Sequence, residues 1–77
     1  MAQVFFHYST PRGVVMDRSG ADIDGISDAR ARAVGMVRSL IATPTDEDWR
    51  GWILHASDED GEEMFLLPFT SVLGMLH

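Results

Sequence analysis

The sequence predicts an α+β fold, ββαββ, with one helix packed on a four-stranded, mainly antiparallel sheet. Three observations predict it. A single segment, Ser27–Ala42, has sustained helical periodicity. Stretches rich in aromatic and branched residues flank it, at Val4–Tyr8 and Val14–Asp17 before it and at Trp49–Ser57 and Glu63–Phe69 after it. Turn residues split each flank into a pair, with Thr10-Pro11-Arg12-Gly13 in the first and Asp58-Glu59-Asp60-Gly61 in the second.

Each element follows from its residues. In the first strand Val4, Phe6 and Tyr8 face one way, and Phe5 and His7 the other. Val14–Asp17 completes a hairpin, and Ser19-Gly20 ends it. Ala21–Ile26, carrying Asp22, Asp24 and Gly25, reads as a polar connector. Within the helix, Ile26, Ala29, Ala33, Met36, Val37 and Leu40 form one apolar stripe about 100° wide. Ser27 is the expected N-cap, because its hydroxyl can accept from an unpaired amide. Asp28 suits the positive helix end and pairs with Arg32 at i,i+4. Pro44 stops the helix by Ala42 or Thr43. Gly35 reads as a tolerated defect that costs about 1 kcal/mol against alanine. Thr43–Asp48 is a solvated loop. Pro68 lacks an N–H, so the fourth strand is expected at a sheet edge or to end there. The expected strand order is second, first, third, fourth. Thr70–His77 is apolar at Val72, Leu73, Met75 and Leu76, and is expected to form a helical turn or an extended docked tail.

One helix cannot cover both faces of four strands. Yet the first, third and fourth strands carry apolar side chains on both faces: Phe5 beside Phe6, Ile53 beside Leu54, Leu66 beside Leu67. The second face therefore calls for a cover, either the tail or a second copy of the chain. Val34 and Ile41 widen the apolar flank of the helix, as a broader core contact or as a seam for a second chain, and Trp49 at a loop edge is either core or a partner anchor of the kind tryptophan often supplies. The candidate interaction surface is Val34, Ile41, Trp49, Phe5 and Ile53. The expected state is a homodimer, with another protein as the alternative partner.

The order Val4-Phe5-Phe6-His7, Asp17…Gly20, Asp28-Ala29-Arg30-Ala31…Ala33, Trp52…Asp58-Glu59-Asp60-Gly61…Leu67-Pro68-Phe69 resembles a family of small uncharacterised bacterial proteins. The resemblance covers nearly the whole chain. It implies the fold, and it brings no activity, cofactor or catalytic residue. A weaker likeness is to HicB-like antitoxins, which share a strand hairpin, an acidic-glycine connector and an alanine-containing helix. It implies an acidic surface that covers a basic toxin. Asp22-Ile23-Asp24-Gly25 stands where those antitoxins have a proline-glycine connector, and no DNA-binding segment follows the second hairpin.

Composition narrows the functions further. The chain has 77 residues, so one domain is expected. It has no cysteine, which removes disulfides and thiolate metal sites. Its net charge is −6 with no lysine, and six arginines are spread along it, so nucleic acid and anionic membranes are poor partners. No basic leader or long apolar run is visible, and a cytoplasmic location is expected. No catalytic, cofactor or metal residues are assigned. The rival to an interaction module is a small enzyme or metal-binding protein using His7 and His55, which lie on strands that can share a face. Asp22, Asp24 and Asp28 resemble part of a calcium loop, but Ile26 stands where a ligand is needed. Neither a nucleophile elbow nor a phosphate-binding glycine loop is present.

Overall fold

The structure, a computed structural model, describes residues 2–74. Its elements are β1 (Ala2–Thr10), β2 (Gly13–Val15), β3 (Ala21–Ile23), α1 (Ile26–Ile41), β4 (Ile53–Ser57), β5 (Glu63–Pro68) and α2 (Phe69–Gly74). The class is α+β, and the expected order of the four main strands is observed as β2-β1-β4-β5, all antiparallel.

The expected polar connector holds a fifth strand. In β3, Ala21 pairs with Val4 and Ile23 with Ala2, and Ile23 is buried. β2 and β3 run along the same edge of β1, but the register slips by two residues between them. Asp17 occupies the gap. Its Oδ2 accepts from the Phe6 amide at 3.1 Å, and its Oδ1 accepts from the amides of Ser19 and Gly20 at 3.0 and 3.2 Å. The Asp17 amide in turn donates to His7 Nδ1 at 2.9 Å. Side-chain bonds thus replace the ladder where the strand is interrupted.

Gly20 closes this loop at φ 72°, and an added Cβ would lie 2.6 Å from Gln3 Oε1 and 2.9 Å from Phe5 Cε2. Both conformation and space call for glycine. Gly20→Ala is expected to cost about 1–3 kcal/mol. A urea titration that finds a loss under about 0.5 kcal/mol, the usual size for a neutral surface change, would show that the loop relaxes freely.

The core lies on one face of the sheet. Val4, Phe6, Leu54 and Ala56 meet Ala29, Ala33 and Val37 of α1, and Phe69 and Val72 of α2. The small residues of α1 let its backbone approach the strands. Four expectations are corrected here. α1 starts at Ile26 with Gly25 at the N-cap, so Ser27 lies in the first turn and caps nothing. Asp28 reaches back to accept from the Asp24 amide at 3.0 Å, a role that replaces the expected pair with Arg32. Ile26 is exposed, at the first position of α1 and ahead of its first buried residue, Ala29. Trp49–Gly51 is a 3₁₀ turn, so the third main strand starts only at Ile53. Gly35 has nothing within 4 Å of an added Cβ, as a tolerated defect requires.

α2 explains much of the packing. Phe69 is fully buried, 5.9 Å from Tyr8, 5.7 Å from Trp49 and 5.6 Å from Trp52 between ring centroids. The Phe69 amide donates to the Trp52 carbonyl at 3.0 Å, tying the helix start to the end of the 3₁₀ turn. The tail therefore docks as a helix from Phe69, but beside α1 on the same face rather than across the sheet. Met75, Leu76 and His77 lie outside the described residues. No helix among the described residues is long and apolar enough to cross a membrane.

Candidate interaction surface

Three surfaces are left for function: the uncovered sheet face, the acidic end and the free sheet edges. The uncovered face is more polar than the sequence implied. Its rows follow from the register: Ser9 opposite Ile53, His7 opposite His55, Phe5 opposite Ser57, with Leu66 beyond His55. Polar and apolar side chains alternate across it, so it is not a continuous apolar patch.

His7 and His55 are direct cross-strand partners, as the rival reading requires. Their nitrogens are largely taken. His7 Nδ1 accepts from the Asp17 amide, and the His7 ring lies parallel to Phe5 at 6.4 Å. His55 Nε2 is 2.8 Å from Ser9 Oγ, and Nδ1 is 2.7 Å from Glu63 Oε1. With Glu63 ionised, Nδ1 donates to the carboxylate and Nε2 accepts from the Ser9 hydroxyl. This is a serine–histidine–carboxylate relay on an open sheet. Neither of the two pockets described below includes any of its members. No group of three or more metal-ligand side chains converges among the described residues.

The acidic end gathers the β3–α1 turn and the β4–β5 hairpin. Gln3 links them: its amide donates to Glu59 Oε1 at 3.1 Å and its side chain to Asp22 Oδ1 at 2.5 Å. Asp58 Oδ1 accepts from the amides of Asp60 and Glu62, which fixes the hairpin tip. These bonds account for the placement of the charges as turn chemistry. At the other end, Asp48 is held down to about 2 by the guanidinium and amide of Arg50.

The two free edges differ. β5 carries Glu63, follows Glu62, ends at Pro68 and has a register irregularity opposite Ala56/Ser57. Each of these features discourages a further strand. β2 has none of these, and its guard is its length of three residues. Val14 and Val15 of the outermost strand and Met16 just after it are 61%, 54% and 58% exposed, a continuous apolar run. Beside it a pocket of about 260 Å³ is lined by Phe6, Tyr8, Val15, Met16, Met36 and Asp17. Its walls are apolar with one carboxylate. Burial and the charge of Asp17 push the Tyr8 phenol up, so it stays neutral. A second pocket, of about 220 Å³, lies under the hairpin turn at Thr10, Arg12, Gly13, Val14, Val15 and Trp52.

The expected surface residues separate. Phe5 and Ile53 lie on the uncovered face, both half-buried. Ile41 and Trp49 pack against the core, where Trp49 meets Trp52 and Phe69. Val34 is half-buried on α1. The β2 edge was missed, although Val14-Val15-Met16 lacks the alternation of a strand with one buried face. Comparison with known proteins gives one finding. A family model described as "Domain of unknown function (DUF6894)" matches residues 3–70. No curated protein and no solved structure matches the chain.

Proposed function

We propose, for a chain that belongs to the DUF6894 family, a non-enzymatic protein-interaction module that self-associates. The observation that carries this reading is the exposed apolar edge at Val14, Val15 and Met16, set beside a largely apolar pocket. An edge strand offers unpaired N–H and C=O groups, and adjacent pockets add side-chain selectivity to such pairing. Light scattering over a concentration series tests it. A mass that rises from one chain to two supports the module, and a single-chain mass at hundreds of micromolar sinks it.

The Ser9–His55–Glu63 relay favours a second reading, a serine hydrolase. Its test is labelling with a fluorophosphonate. In that reaction Ser9 passes its proton to His55 Nε2, Oγ bonds to phosphorus and fluoride leaves. The expected result is no adduct, because the relay has no enclosing wall. An adduct on Ser9 that disappears in His55→Ala would overturn the non-enzymatic reading.

A further inference from the structure

We infer that the partner at the β2 edge is a second copy of this chain, paired antiparallel about a two-fold axis at Val14, with Arg12 of each copy entering the apolar pocket of the other. The inference rests on the self-association reading and specifies its geometry.

Three features converge on it. The first is the hydrogen-bonding phase of the edge. The even-numbered residues of β1 face β2, as the Phe6 amide shows by bonding the loop on that side. Tyr8 and Thr10 are opposite Val15 and Gly13, so the backbone groups of Val15 and Gly13 point inward and those of Val14 point outward. Val14 is thus the residue whose N–H and C=O are offered to a new strand.

The second is charge order. The segment reads Arg12-Gly13-Val14-Val15-Met16-Asp17, a cation at one end and an anion at the other. Antiparallel pairing about Val14 sets Arg12 opposite Met16 and next to Asp17 of the other copy, and does so twice. A register centred on Val15 would instead oppose Arg12 and Arg18, two like charges. Register is therefore specified by charge.

The third is the pocket. Apolar walls with a single carboxylate suit an arginine, whose methylene stem packs while its guanidinium meets the charge. Asp17 spends its oxygens on three amides and keeps capacity for a further donor. The Arg12 guanidinium is largely exposed, bonded among the described residues to Glu47 at 2.5 Å, and exchanges that surface contact for Asp17 of the other copy. A two-fold pairing closes on itself, and the guarded β5 edge stops growth at two chains. The interface is small, because β2 is three residues long, which makes the pairing a weak, concentration-dependent one.

The chain has no cysteine, so single-cysteine variants report contacts directly. Residues in a hydrogen-bonded antiparallel pair have Cα atoms about 5.5 Å apart, within disulfide reach. Val14→Cys is expected to oxidise to a covalent dimer within minutes, and Ile53→Cys and Ser71→Cys to stay largely monomeric. Val14→Lys and Arg12→Glu are each expected to weaken the dimer at least about tenfold, with thermal melting of the monomer unchanged. If the wild type dimerises but neither variant weakens it, or if Ile53→Cys cross-links instead, self-association stands and the β2 pairing is overturned. A wild type that remains one chain removes both.

Discussion

Replacing Phe69 by alanine is expected to remove a large fraction of the domain's stability, about 3–5 kcal/mol. Phe69 is fully buried and is the ring that joins Tyr8, Trp49 and Trp52 into one cluster. Removing a buried phenylalanine side chain costs about 3–5 kcal/mol, through lost transfer energy and the cavity left behind. A chain of this length has roughly 4–12 kcal/mol of stability in total. The loss is therefore a large fraction of what exists. Phe69→Leu keeps most of the volume and is expected to cost under about 2 kcal/mol, near the range for conservative core swaps. Urea titration followed by tryptophan fluorescence measures both, because both tryptophans touch the ring. An alanine variant within about 1 kcal/mol of wild type, far below the cavity range, would mean that the cluster collapses without cost and that α2 is not the keystone argued above.

Asp17→Ala is expected to cost about 2–4 kcal/mol, by leaving the Phe6, Ser19 and Gly20 amides without their acceptor. The Phe6 amide matters most, since it belongs to a buried residue on the central strand. The same bonds give a pH dependence. Burial pushes the Asp17 carboxyl up, but the three amides and His7 together bring it below its ordinary value. A carboxyl depressed in the folded state stabilises the fold fully above its unfolded pKa of about 4. That contribution disappears as pH falls through the lower folded value. Wild type is therefore expected to lose more stability than Asp17→Asn as pH falls from above the unfolded value of about 4 to below it. Equal losses would show that the amide bonds do not depend on the charge.

The sequence was informative where one face of an element is buried. The alternation in Val4–Tyr8 and the stripe Ala29, Ala33, Val37 point to the residues found in the core. Ala21–Ile23 was misread because three residues give no period, and its one buried residue, Ile23, is flanked by aspartates. The start of α1 was misplaced because serine and aspartate compete as caps, and backbone geometry at Gly25 decided the matter. The His55 relay was beyond reach, since Ser9, His55 and Glu63 meet only through strand register. The β2 edge was within reach. An unalternating Val-Val-Met run on a strand already expected at the end of the sheet signals exposure on its own.

β1 lies inside the sheet, between β2 and β4, and yet precedes every other described element in sequence. Its β2 and β3 partners follow at once, but β4 comes from the far half of the sequence, where Phe5 finds Ser57 and Ser9 finds Ile53. Phe69, which closes the aromatic cluster, comes later still. During synthesis the early segments can form a frayed three-stranded unit with most of its core missing, and its apolar β2 edge stands open throughout. Contacts between distant segments slow folding. The domain therefore completes only when its last helix is released, and until then the strand inferred to join two finished copies is the one on which nascent copies are most prone to stick together.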